Sequence, residues 1–188
     1  MRAPRLVALT MMTGCMPYVL PPATGAMGAQ RTLEAGERAR VHAELGVSPF
    51  QLSPRLLNRA FDATVSATFD RATHNAWGAA VAAGPVLHPW PAWSKRDVTT
   101  RLAPQLVGRW NTDGRAAALR ISVERAAFYA EGNQAVDASG AIYGEGAIGL
   151  YVEAGMQWPE MDERGWSLGV GVTLRMPAAA GIACCVKP

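Results

Sequence analysis

Cysteine is scarce in this chain of 188 residues, which has three: Cys15, Cys184 and Cys185. An adjacent pair and one distant residue make neither a disulfide framework nor a spaced zinc site. Histidine is as sparse, with His42, His74 and His88 in no metal-ligand spacing, and no G-x-S-x-G nucleophile motif occurs. The sequence therefore predicts no metal, no cofactor and no enzymatic activity. Lysine appears only twice, so the net charge of +3 and the pI near 9.0 come from scattered arginines. Without a basic cluster there is no footprint for nucleic acid. Nor does any apolar run reach the eighteen or so residues of a transmembrane helix. If this chain crosses a membrane, it does so with strands.

What is present begins with an export-type start. Arg2 and Arg5 precede a short apolar stretch, Leu6 to Met12, which ends at Thr13-Gly14-Cys15. Met12-Thr13-Gly14-Cys15 resembles the bacterial lipobox, and this resemblance implies cleavage before Cys15 and acylation of its thiol. The alternative is an ordinary signal peptide cut later, among the small residues Ala23 to Ala29. The expected organisation is a lipoprotein signal peptide over 1–14, a flexible Pro- and Gly-rich tether over 15–31, a β-barrel domain over 32–177, and a C-terminal strand or tail over 178–188.

From Thr32 onward the hydrophobic period is two. Ala39, Val41, Ala43, Leu45 and Val47 oppose Arg38, Arg40, His42 and Glu44, and Phe61, Ala63, Val65, Ala67 and Phe69 alternate with Asp62, Thr64, Ser66, Thr68 and Asp70. The run 77–83 is a weaker strand signal, and GPVLHPWPAW after it reads as a loop. The stretch 98–110 alternates again, although Pro104 lacks the N–H that a closed ladder needs. Asn111-Thr112-Asp113-Gly114 supplies hairpin chemistry, and Leu119, Ile121 and Val123 return against Arg120, Ser122 and Glu124. Residues 131–139 read as a polar loop.

Gly144-Glu145-Gly146-Ala147-Ile148-Gly149 matches G-x-G-x-x-G, but a dinucleotide site needs a helix after the glycines. Instead the alternation continues unbroken to Trp158, so the glycines belong to a strand, where they relieve crowding in a curved wall. Trp166 to Met176 repeats the pattern, with one face wholly apolar and the other small and polar.

That contrast carries the functional reading. A soluble barrel or sandwich would put long polar side chains on the face opposite the apolar one. Here that face carries Gly, Ala, Ser and Thr among a few paired charges, as a packed lumen would, and Trp77, Trp110, Trp158 and Trp166 fall near strand ends. In this pattern the chain resembles the small outer-membrane β-barrels of Gram-negative bacteria over about 32–176. The resemblance implies an all-β, antiparallel up-and-down barrel of about eight strands, counted as seven plus 178–185. Ile142, Ile148, Leu150, Val152, Met156, Trp158, Trp166, Leu168, Val170, Val172 and Leu174 are the expected lipid-facing residues. Arg101, Arg109, Arg120, Glu124, Tyr143, Glu145, Tyr151, Glu153 and Arg175 are the expected lumen residues, paired because an isolated buried ion is costly. The expected role is structural, surface-interacting or small-solute-related in the outer membrane, with membrane lipid and an envelope protein as partners. The alternatives are a lipid-anchored periplasmic β-domain that binds an apolar ligand or a partner protein and, last, a membrane-embedded hydrolase or acyltransferase assembled from His42, Glu145 and a serine such as Ser66.

Overall fold

Period-two alternation becomes a closed wall in the computed structural model, which describes residues 15–33, 39–49, 60–71, 75–87, 100–137, 140–159 and 164–184. The elements are β1 (Cys15–Leu20), β2 (Ala23–Thr32), β3 (Ala39–Val47), β4 (Phe61–Arg71), β5 (Asn75–Pro85), β6 (Thr100–Asn111), β7 (Gly114–Asp137), β8 (Gly140–Pro159), β9 (Gly165–Met176) and β10 (Ala178–Cys184). Strands β2 to β9 pair antiparallel with their sequence neighbours, and β9 also pairs with β2, closing an eight-stranded up-and-down barrel. No α-helix occurs among the described residues. Strand β8 runs straight through Gly144 to Gly149, paired with β7 from Ala130↔Gly144 to Glu124↔Gly149, so the glycine motif holds no phosphate loop. The expected signal peptide, 1–14, lies outside the described residues.

Three expectations change. Residues 15–31 are not a free tether. Strand β1 pairs with β10, and β2 is a full barrel strand bonded to β3 on one side and β9 on the other. Its alternation is carried by small or uncharged polar residues, Thr24, Ala26 and Gln30 being buried against exposed Met27 and Ala29, so its composition imitates a linker. The eighth barrel strand is therefore β2, whereas 178–184 forms β10, which continues β9 along β8 beyond the closed section. Finally, 131–137 is not a loop, because β7 extends to Asp137 with register shifts near Ala126, Ala130 and Ala135.

Pro104 is accommodated without a bulge. The β5–β6 ladder pairs Ala83 with Leu106, and the Leu87↔Leu102 bridge beyond it keeps the same register, which sets Pro85 opposite Pro104. Leu87 and Leu102 exchange both N–H···O bonds at 2.8 Å, so the Pro85/Pro104 position two residues away is also a hydrogen-bonding one. Neither proline has a donor, and the ladder lapses there while β6–β7 continues through Pro104↔Ile121. The two missing donors face each other, so the ladder loses both of its bonds at this one pair, and the carbonyls affected are those of the two prolines.

At the other end of the barrel the connections are short. The β6–β7 hairpin turns through Gly114, whose φ of 142° is the only positive value outside the normal L-residue range among the described residues. A β-branched side chain is strained there. Gly114→Val is expected to lower the unfolding free energy by about 1–3 kcal/mol, read as a shift in the urea midpoint. An unchanged midpoint would show that the hairpin does not fix this end of the barrel.

Candidate functional site

Charged residues of the alternating strands, among them Glu44, Asp62, Arg101, Arg109, Arg120, Glu124, Glu153 and Arg175, are buried inside, where eight strands leave a space just wide enough for side chains. Arg120 and Glu153 face each other across β7–β8, and Arg101 and Glu124 face each other across β6–β7. From these two pairs grow two ion clusters. In the first, Arg109 donates to Glu44 through Nε (2.9 Å) and Nη2 (2.8 Å) and to Glu153 through both Nη atoms. Arg120 donates to the same two carboxylates, to Glu44 at 2.7 and 2.9 Å and to Glu153 at 2.9 Å. In the second, Glu124 accepts from Arg101 at 2.7 Å and from Arg175 at 2.9 Å, Arg175 also donates to Asp62, and the Ser48 hydroxyl donates to Asp62 at 2.8 Å. Each cluster holds two guanidinium groups and two carboxylates, so each is neutral. Glu153 is 3% exposed and Arg120 4%.

A third contact crosses the lumen between them. His42, Gly28, Gly171 and Tyr151 form one continuous row across β3, β2, β9 and β8. The two glycines leave the space in which Tyr151 Oη meets His42 Nε2 at 2.6 Å. A Cβ on Gly28 would lie 2.3 Å from that hydroxyl, and one on Gly171 2.6 Å from it. The Arg120 guanidinium stacks 4.6 Å from the Tyr151 ring centroid, joining this row to the first cluster. The Nδ1 atom of His42 has no hydrogen-bond partner. His42 and Ser66 are both buried inside the wall, but His42 Nε2 is engaged with Tyr151, and the side chain of Glu145 lies outside the described ones.

Two small voids are lined by described residues. One of about 20 Å³ is lined by residues including Gln30, Arg40, Asp70 and Arg109, and one of about 30 Å³ by residues including Glu44, Gln105, Arg120 and Thr173. Each has room for little more than a water molecule. Among the described residues no group of three or more His, Cys, Asp and Glu side chains is placed to hold a metal ion.

The outside is apolar. Leu150 is 68% exposed, Ile148 62%, Val170 60% and Leu106 73%, and Val152, Trp158, Trp166, Leu168, Val172 and Leu174 are exposed beside them. Met156 is half-buried. Arg101, Arg109, Arg120, Glu124, Tyr151, Glu153 and Arg175 are all buried inside. The side chains of Ile142, Tyr143, Glu145 and Cys15 lie outside the described ones, although the backbone register sets Cys15 opposite Cys184. Glu44 and Asp62 complete the clusters. Both were legible as inward positions of alternating strands, but nothing in the sequence says which arginine each meets. Trp77, Trp110, Trp158 and Trp166 collect on one rim, the end with the short turns, where the Phe69 and Trp77 rings lie 4.5 Å apart.

No family model matches the chain, and no curated protein matches it. Among solved structures it is similar to the S-type phycobiliprotein lyase CPES from Guillardia theta, at 9% identity and a TM-score of 0.29, over 84% of this chain and 88% of that one. A likeness that low carries no argument, and the barrel rests on the strand pairing above.

Glu153 is shared by both arginines of the first cluster, so neutralising it strands buried positive charge. Glu153→Gln is expected to destabilise by about 3–5 kcal/mol. The double variant Arg120→Met, Glu153→Leu should cost clearly less than the sum of its two single changes in urea unfolding. Additive costs would mean that the two side chains do not act as a pair.

Proposed function

We propose that this chain is an integral β-barrel of the bacterial outer membrane, anchored in addition by acyl chains on Cys15, with a structural and surface-interacting role and no enzymatic one. The observation that supports this most is the inversion of polarity: Leu, Ile, Val and Trp face out, while Arg, Glu, Asp, His and Gln are buried within. In water the exposed apolar wall would be a liability, since contiguous apolar patches of more than a few hundred Å² drive association. In a bilayer it is the surface a strand-built protein needs. Barrel strands of 9 to 12 residues, β2 to β6 and β9, match the roughly 9–11 residues of a tilted transmembrane strand. The ion clusters block the lumen, which favours a filled barrel over a pore.

The surface-interacting part of this reading comes from β7 and β8, at 24 and 20 residues. They outrun the closed section and carry β10 and then β1 on their extension. Among the described residues no strand pairs with the second edge of β1. Such an edge offers its backbone to an envelope partner by strand addition.

Two experiments test these proposals. Val170→Cys in a Cys15→Ala, Cys184→Ser, Cys185→Ser chain exported by an ordinary signal peptide should react with a lipid-soluble maleimide and resist a water-soluble one in intact membranes. Protection from both reagents until unfolding would overturn the spanning barrel in favour of a tethered domain with a buried apolar face. Separately, palmitate fed to cells should label the chain and the label should vanish with Cys15→Ala. An unlabelled protein whose N-terminus maps between Ala23 and Gln30 sinks the anchor.

A further inference from the structure

The rim where the tryptophans gather also carries arginines. On the outer face Trp110 of β6 pairs with Arg115 of β7, and Arg115 pairs with Trp158 of β8. The β8–β9 register, carried one residue past Gln157↔Gly165, brings Arg164 beside Trp158. Aromatic and guanidinium groups thus alternate along one row, on strands about 5 Å apart. Trp110, Arg115 and Trp158 line an open cleft with Asn111 and Gly114.

The cleft continues down the wall. A Cβ on Gly108 would lie 2.9 Å from the tip of the Trp110 indole, so that ring is folded back over Gly108, away from the turn and toward the apolar belt. Next to Gly108 in register stands Ala117, and across from Ala117 stands Met156. Below Arg115 the wall is therefore a trough with Ala117 as its floor, the Trp110 indole on one side and Met156 on the other. It leads toward Leu106 and Leu119, both exposed.

Arg115 is exposed and forms no ion pair among the described residues. Asp113, the acid nearest to it in sequence, lies 4.0 Å from Arg40, and its N–H donates to the Asn111 side chain at 3.0 Å. The remaining charge, at the head of an apolar trough and between two indoles, has the complement of one molecule: a phosphate group carrying an acyl chain.

We infer that Arg115, with Arg164 beside it, seats the phosphate of an anionic phospholipid while Trp110 and Trp158 flank the top of its acyl chain. A guanidinium matches two phosphate oxygens at once. Indoles suit the boundary between headgroup and chain. This site rests on the spanning-barrel reading, because only a wall in contact with lipid presents the trough to an acyl chain.

The test uses the full chain in phosphatidylcholine vesicles in which a fixed fraction of lipid carries brominated acyl chains, either as phosphatidylglycerol or as phosphatidylcholine. Bromine quenches only tryptophans in contact with the labelled chain. Brominated phosphatidylglycerol should quench more strongly, and Arg115→Gln with Arg164→Gln should reduce the apparent preference by about thirtyfold, the factor expected for two basic side chains at an anionic lipid surface. Trp110→Phe with Trp158→Phe should remove the arginine-sensitive part of the quenching. Arg125→Gln, an exposed arginine at the opposite end of the β6–β7 pairing, where it faces Thr100, should leave the preference unchanged and so exclude a simple effect of net charge. Equal quenching by the two lipids, or a preference indifferent to Arg115 and Arg164, overturns the site and leaves the barrel standing. The same holds if inorganic phosphate at constant ionic strength abolishes the preference, since the seat would then read a free anion. Absence of quenching by either lipid, together with an unreactive Cys at position 170, overturns the spanning reading itself.

Discussion

Four guanidinium groups and four carboxylates form two clusters inside a closed strand wall, and within each cluster the opposite charges have to neutralise one another. An unpaired ion in such a place costs several kcal/mol. That requirement fixes a great deal at once. Glu44, on β3, must lie between arginines from β6 and β7, and Glu153 of β8 must meet the same two. A slip of one residue in any of these strands would turn its charge to the outside and strand its partners. The clusters add little net stability over an apolar filling, but they strongly penalise every wrong register. The small residues around them follow: Ala80 and Ala116 flank Arg109 in register, and Gly169 lies opposite Glu153.

With the interior given over to charge, no hydrophobic core of the usual kind is formed among the described residues. The buried apolar cluster amounts to Ala82, Val107 and Ala118, one row of inward side chains on β5, β6 and β7. The large aliphatic residues are on the outside, where burial against other parts of the chain contributes nothing. Among the described residues, the burial of large apolar side chains that drives the folding of a water-soluble domain is thus small. Under the spanning reading the lipid supplies the apolar surroundings, and the closed backbone ladder, interrupted at Pro85/Pro104, supplies what the bilayer cannot.

Most of this was legible wherever the two faces of a strand differ in kind. Strands β3, β4, β6, β7 and β9 alternate large apolar residues with charged or hydroxyl ones, and such a period admits one interpretation. The glycine motif yielded to the same reasoning, since the alternation did not stop for it. Strand β2 was not legible because its inward residues had to be small. Gly28 makes way for Tyr151, so the constraint that makes the strand indispensable also erases its hydrophobic signature. Strand β7 beyond Ala130 was obscured by polar composition (Glu131, Asn133, Gln134), which is common to loops and to strands without an apolar face. Pairing partners could not be read at all. Which arginine meets which glutamate depends on the curvature of the wall, and His42 meets Tyr151 only because β2 and β9 place two glycines between them.

The extended strands set a geometric condition on the two proposed membrane attachments. Cys15 lies eight positions before Ala23, the first residue of the closed barrel, which is about 27 Å of extended chain. An acylated Cys15 has to reach a leaflet, yet a straight ribbon would hold it well away from the barrel's apolar belt. The ribbon is not uniform along its length. Where β1 gives way to β2 the chain is Pro21-Pro22, and the unbroken register on either side sets Pro22 opposite Pro177 between β9 and β10. At the same level β8 changes partner from β9 to β10 with a shift of register, and β7 bulges between Ala126 and Phe128 opposite Gly146 and Ala147. Every one of the four strands therefore weakens its ladder on one transverse line. Prolines remove donors and bulges bend strands, so this line is where the ribbon can fold toward the bilayer with the least loss of hydrogen bonds. An anchor at Cys15 and a barrel spanning at β2 to β9 are compatible through a bend there, and a ribbon held straight at that line would leave only one of the two attachments possible.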